Sequence, residues 1–305
     1  MSDIEGALAR VPWLRDAGEP ERLAGLTNLN YRIGDYVLRL PGEGTSEYID
    51  RAIEEVAARS AAAAGVNAEV LHFDPTDGLM VTRFVEGAAT MSAERFRDLG
   101  SVARAGRAFR RLHTTAAPFA NDFVLFPMID EYKTLLAAKR ATLPDGYDEV
   151  QAQAAVARAA LEANPVLLVP CHCDPLCENF LDTGDAMYVI DYEYSGNNDP
   201  MWDLGDLSVE GLFGPEQDAA LLRAYFDGDP PAHAGPGQAN VDAAGALRGR
   251  RSIVETVLAS ELDGKHTVFG QVTSGQDVAD RISHVDRDGR DRPTTPITLD
   301  SVEIS

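Results

Sequence analysis

Residues 166–203, VLLVPCHCDPLCENFLDTGDAMYVIDYEYSGNNDPMWD, decide how this chain is read. An apolar run leads into a loop carrying His172, Asp174 and Asn179, and a second apolar run ends in Asp191. Asp174 and Asn179 stand five residues apart, the spacing of the loop H-x-D-x-x-x-x-N. Transfer of a phosphoryl group to a hydroxyl needs a carboxylate beside the hydroxyl proton and oxygen ligands for magnesium. The turn ThrGlyAsp at 183–185 folds the second apolar run back as a strand and is expected to bring Asp191 beside Asn179. An Asp and an Asn are common in any loop. It is their combination with His172 and a second strand-terminal Asp that points to chemistry.

Other chemistries fit the stretch less well. Cys171, His172, Cys173 and Cys177 are all zinc-ligand types, but they form no CxxC pair, and neighbouring ligands seldom reach one tetrahedral ion. A cysteine nucleophile is disfavoured because Cys173 is flanked by Asp174, which opposes a thiolate. Three cysteines within seven residues do not build a disulfide framework and suit a reducing compartment.

Composition narrows the partners. The 305 residues are 45% hydrophobic, enough for a sizeable core in one large or two smaller domains. Against 49 acidic residues stand 27 basic ones, for a formal charge of -22, and the only lysines are Lys133, Lys139 and Lys265. This charge repels nucleic acid and anionic membranes. Acid scattered through every segment, with little lysine, points to a salt-rich, halophilic cytosol in which screening removes most self-repulsion. No run approaches the roughly 20 apolar residues of a membrane span, and the N-terminus lacks a basic start followed by an apolar stretch. The expectation is a cytoplasmic protein without membrane insertion; the sequence does not speak to its oligomeric state.

Towards the N-terminus, residues 25–42 read as a hairpin turning at Gly34-Asp35, with Arg39 in its second strand. On strand pattern alone Arg39 is an exposed cation. A helix over 46–65, capped by Ser46, puts Ile49, Ile53, Val56 and Ser60 on one face, and Glu54 or Glu55 can turn back towards the hairpin. Strands over 69–73 and 79–85 flank the turn DPTDG, and residues 86–89 form a small-residue connector between lobes. A helix is expected over 92–113, ending in His113 as a packing or capping residue, and the alanine-rich residues 128–164 are helical with a break at 143–147.

The segments CHCDPLCENFL and VIDYEYSGNNDPMWDLGDLS resemble the choline and ethanolamine kinase family over about residues 22–230. The likeness is closest to its bacterial-type choline kinase branch, which sits with the aminoglycoside phosphotransferases in the protein-kinase-like fold. The resemblance implies an α+β bilobal fold with an N-lobe of antiparallel sheet plus helix over 1–85 and a mainly helical C-lobe over 86–230. It implies ATP and Mg2+ as cofactors and a small amino alcohol as substrate, choline first and ethanolamine second. Asp174 becomes the base towards the substrate hydroxyl, Asn179 and Asp191 the magnesium ligands, His172 a brace of the loop and Asp203 the cap of its backbone amides. LTNLNYRI, with Asn28, resembles the nucleotide-covering turn. Arg39 falls where kinases carry a phosphate-binding lysine, Glu54 is the better match for its helix partner, and RFVEG with Glu86 corresponds to the adenine-side hinge. Glu193, Tyr194 and Glu210 are the candidates for the substrate side, where a quaternary ammonium needs carboxylates and aromatic faces. On residue pattern alone Glu210 is equally a solvated helix acid.

The chain departs from that family after residue 230. A Gly/Pro/Ala-rich linker or junction over 231–254 stands where tryptophan-bearing helices are expected, and the only tryptophans are Trp13 and Trp202. Residues 255–305, with LDGKHTVFG, resemble the C-terminal part of a cyclophilin-type prolyl isomerase. His266 matches an active-site histidine, but Glu261 replaces the preceding aromatic and the catalytic arginine segment is missing. A fragment of this size does not close a barrel by itself. Other readings of the whole are another aminoglycoside- or thiamine-type phosphotransferase, a nucleotide-binding protein without turnover and, least favoured, an isomerase.

Overall fold

The structure, a computed structural model, describes residues 3–23, 28–42, 49–143, 147–163 and 165–230. Ser46, the expected linker and the cyclophilin-like segment lie outside them. The described chain forms two lobes joined by residues 84–88.

The N-lobe is an antiparallel sheet in the order β1-β2-β3-β5-β4. Its strands are β1 (Glu21–Arg22), β2 (Leu29–Ile33), β3 (Tyr36–Leu40), β4 (Val70–Asp74) and β5 (Leu79–Arg83). Helix α1 (Asp3–Arg10) and a 3-10 turn, Pro12–Ala17, bury Ala7, Val11 and Leu14 against Ile33, Leu38, Leu40, Leu79 and Val81 on one face. Because strand side chains alternate, Arg39 between Leu38 and Leu40 is turned to the other face. There it is buried, not exposed as the strand pattern alone suggests.

Helix α2 (Arg51–Ala63) covers that second face. It starts later than the sequence pattern indicates, at Asp50, whose carboxylate accepts hydrogen bonds from the Ala52 and Ile53 amides. Its inward stripe also differs from the expected one. Arg51, Glu54, Ala57, Ala58 and Ala61 are buried, while Val56 is 43% exposed. The alanines allow close packing, and the same stripe carries Glu54 to Arg39. An ion pair has outweighed the larger apolar side chains in fixing the helix rotation.

In the C-lobe the expected helix over 92–113 is divided. A 3-10 turn, Arg95–Arg97, precedes α3 (Leu99–Thr115), and Asp98 caps α3 by accepting from the Ser101 amide. Phe96, Phe109 and Phe180 meet edge to face at the core, each fully buried. Burial of such a side chain stabilises by roughly 1.5–3 kcal/mol. Helix α7 (Pro215–Phe226) lies against α3 at Gly106, where a Cβ would sit 2.7 Å from the Leu221 carbonyl oxygen. Helices α4 (Leu125–Ala138) and α5 (Tyr147–Ala163) are tied by Lys133 to Gln151 and Arg158 to Asp130. Helix α6 (Pro200–Glu210) is buried over most of its length.

Two small ladders carry the loop with His172, Asp174 and Asn179. Strand β7 (Val169–Cys171) pairs with β10 (Gly196–Asn198), and β6 (Ala89–Thr90), β8 (Phe180–Asp182) and β9 (Met187–Val189) form a second sheet. Ala89, expected in the connector, therefore already belongs to the C-lobe. The apolar run over 166–171 is only partly strand, and Leu167 is 80% exposed. No helix among the described residues is long and apolar enough to cross a membrane.

Candidate active site

The loop after β7 is held from beneath by Asp203. This carboxylate is fully buried in α6 and accepts from the His172 amide at 2.7 Å and the Cys173 amide at 2.8 Å. His113 Nε2 lies 3.0 Å from the same carboxylate and its Nδ1 lies 3.0 Å from the Tyr225 hydroxyl. His113 is thus a packing residue, and it steadies the residue that steadies the loop. Cys173 has a positive φ of 67°, a strained conformation for a non-glycine residue that the paired Asp203 bonds sustain. His172 reaches across to the residue after β9, its Nε2 2.8 Å from the Ile190 carbonyl oxygen, while its own carbonyl accepts from Ser195 Oγ. Tyr192 stands edge-on to the His172 ring at 4.8 Å.

Beyond this frame the loop turns back on itself. Asn179 Nδ2 donates to the Asp174 carbonyl at 3.0 Å, closing the segment around a 3-10 turn, Cys177–Asn179. The turn at 183–185 closes through the Thr183 amide and the Ala186 carbonyl, and the Ile190 amide donates to the Asn179 carbonyl at 2.9 Å. Asp191 consequently follows directly after a residue bonded to Asn179. It too has a positive φ, 70°. With the Asn179 amide nitrogen engaged, its carboxamide oxygen is the atom left to coordinate. Together with the Asp191 carboxylate it offers hard oxygen donors of the kind magnesium takes.

The N-lobe meets this edge through ion pairs. Arg39 Nη1 lies 2.5 Å from Glu54 Oε1 and 3.2 Å from Asp191 Oδ1, and its Nη2 donates to the Gly78 carbonyl at 3.1 Å. Burial opposes the Arg39 charge, but Glu54 and Asp191 more than restore it, so its pKa lies above the ordinary arginine value. Burial lifts the Asp191 carboxyl above its usual range, against the pull of Arg39. Glu193 is lifted by burial and by Asp191.

The remaining candidates are dispersed. Glu193 is nearly inaccessible and its Oε2 lies 3.1 Å from Arg51 Nη1, which puts it in the ion network between the lobes. Arg51 is the residue that the sequence reading missed; its only signal was its position one helical turn before Glu54. Asn28 is buried and accepts from the Gly42 amide at 3.2 Å, joining the two ends of the β2–β3 hairpin. Glu86 is 77% exposed in the connector and pairs with Arg32 at 3.0 Å. Tyr194 is half-buried. Glu210 is half-buried at the end of α6, where its carbonyl accepts from Cys177 Sγ, and burial and Glu178 raise its pKa.

The cysteines are neutral core groups. Each Sγ faces a backbone carbonyl, burial pushes Cys171 and Cys173 well above the ordinary thiol range, and Cys177 is pushed up to about 12. Neither a thiolate nucleophile nor a thiolate zinc site fits them. His113, Cys171 and Asp203 come close enough for a metal, yet both Asp203 oxygens already accept backbone amides.

The family model described as phosphotransferase enzyme family matches residues 20–236, which takes in every element of the site. The chain belongs to the phosphotransferase enzyme family. Among curated relatives, two LicA proteins of Haemophilus influenzae match this phosphotransferase at 30% and 31% identity, over 67% and 62% of the chain. The chain spans 61% and 71% of their respective lengths. A choline/ethanolamine kinase family protein from Mesorhizobium loti is 46% identical, with 92% of each chain covered and a TM-score of 0.75. Choline kinase LicA from Streptococcus pneumoniae shares the fold at 22% identity, covering 92% of this chain and 96% of its own, with a TM-score of 0.68. The phosphotransferase is therefore an α+β, kinase-like protein similar to the choline/ethanolamine kinase family. A second family model, cyclophilin type peptidyl-prolyl cis-trans isomerase, matches residues 252–304. There the chain is 51% identical over 47 residues to peptidyl-prolyl cis-trans isomerase B of Saccharomyces cerevisiae, 23% of that protein's length.

Proposed function

We propose that this phosphotransferase moves the γ-phosphate of ATP to the hydroxyl of choline, with ethanolamine as the second acceptor, in a magnesium-dependent reaction in the cytoplasm. The observation that carries the reading is the meeting of two halves of a site. The Asp174 carbonyl accepts from Asn179, the Asn179 carbonyl accepts from the Ile190 amide next to Asp191, and Asp191 is joined across the lobes to the Arg39–Glu54 pair. The likeness to choline/ethanolamine kinase and LicA proteins supports the choice of acceptor.

In this reading Asp174 takes the hydroxyl proton as the oxygen attacks the γ-phosphorus. Arg39 directs the phosphates, and Glu54 fixes Arg39. Asn179 and Asp191 hold magnesium, which when bound neutralises charge on the phosphate oxygens. Asn28 supports the turn over the nucleotide and Glu86 marks the adenine side. Glu210 and Tyr194 face the cationic head of the acceptor, whereas the Arg51 contact argues for Glu193 on the metal side.

An acceptor panel with labelled ATP tests the proposal. Labelled phosphocholine should form fastest, phosphoethanolamine more slowly, and aminoglycosides and thiamine should stay unlabelled. A faster reaction with either of the last two would overturn the assigned acceptor. The cyclophilin-like segment, matching under a quarter of its relative, is assigned no isomerase activity. Prolyl-peptide isomerisation by the full chain above the uncatalysed rate would contradict that.

A further inference from the structure

The Glu54, Asp191 and Glu193 carboxylates bring oxygen atoms within 4.8 Å of one another. Carboxylate oxygens this close are donors of the type a divalent cation takes. Here a guanidinium already stands among them. Arg51 Nη1 lies 2.6 Å from Glu54 Oε2 and 3.1 Å from Glu193 Oε2, and the arginine side chain is 3% exposed. Arg39 takes the other Glu54 oxygen and reaches Asp191. Both oxygens of Glu54 are thus turned to arginines, and Glu193 is held on the Arg51 side.

The turn between β4 and β5 fixes this arrangement. A Cβ on Gly78 would come within 2.6 Å of Arg51 Cδ and Nε, and Gly78 also supplies the carbonyl that accepts from Arg39. Arg10 anchors the turn from α1 through Asp74 and Asp77. One glycine turn therefore seats both arginines.

We propose that Arg51 is a positioning residue that stands in for a cation between Glu54 and Glu193. It keeps these carboxylates from collecting a free divalent ion, so that the metal enters with the nucleotide. The inference rests on the reading of Asn179 and Asp191 as metal ligands.

Mn2+ binding to the full chain, followed by electron paramagnetic resonance with and without ADP, tests it. The wild type should bind Mn2+ well only when ADP is present. Arg51→Met should bind Mn2+ without ADP on the order of ten-fold or more tightly than the wild type, because one nearby positive charge is gone. Arg51→Lys should behave like the wild type. If Arg51→Met does not fold by circular dichroism, Gly78→Ala displaces the guanidinium instead and should raise nucleotide-free binding in the same direction. Nucleotide-free affinity unchanged in the folded variant would overturn the role of Arg51. A wild type that binds no Mn2+ even with ADP would overturn the metal-ligand reading itself, and the inference with it.

Discussion

Asp203 shows how a residue remote from any reacting atom can control the site. Its two oxygens accept the amides of His172 and Cys173, and hydrogen bonds to a charged acceptor contribute roughly 1.5–3 kcal/mol each. Asp203→Asn sets an NH2 group against one of those amides. Urea unfolding should show a loss of about 3 kcal/mol; unchanged stability would deny Asp203 its capping role. Glu210 gives a pH prediction. Burial and Glu178 raise its folded pKa above the ordinary glutamate value, so it takes up a proton at a higher pH than a free glutamate does. Its attraction for a cationic acceptor is present above that raised pKa and is lost as pH falls through it. The sign for stability is opposite: an acid protonated more readily when folded contributes less as pH rises through the same window. KM for choline should rise on acidification in the wild type and lose that dependence in Glu210→Gln. An identical profile in both would remove Glu210 from the acceptor site.

At the scale of elements, the loop and its paired strands were legible because their residues combine local signals. The ThrGlyAsp turn sets the register that leads to Asp191, and the spacing of Asp174 and Asn179 matches the closed loop. Helix α2 was less legible. Its largest apolar side chains suggested one face, but the ion pairs of Arg51 and Glu54 chose another. Charge partners on β3 and beyond β9 are distant in sequence, so no local pattern announces them. Asp98 similarly divides a stretch whose periodicity runs on without a break, because a side-chain cap competes with helix continuation. The position of Asp50 is testable. Asp50→Ala removes two bonds to helix amides and should cost about 1 kcal/mol in chemical denaturation. It should also raise KM for ATP, since Glu54 lies on the first turn of that helix. Loss of stability without any change in KM would separate the cap from the nucleotide side.

For the whole molecule, the ion pairs that join the lobes are buried or part-buried while much of the charge is spread over every segment. The Val189 amide donates to the Val66 carbonyl, and Arg39 and Arg51 reach Asp191 and Glu193 from the N-lobe. Salt screens exposed repulsion far more than such buried pairs. With a formal charge of -22, the thermal midpoint should rise as KCl increases from roughly 0.1 M to 1 M, where the Debye length falls from about 10 Å to about 3 Å. A falling midpoint would contradict the salt-rich setting inferred from composition. The role of Asp174 in phosphoryl transfer is measured by the passage of label from γ-labelled ATP to choline in the wild type and in Asp174→Asn. Labelled phosphocholine is expected from the wild type, and a rate lower by roughly 10²–10⁴-fold in a variant that stays folded. Turnover undiminished in Asp174→Asn would contradict that role.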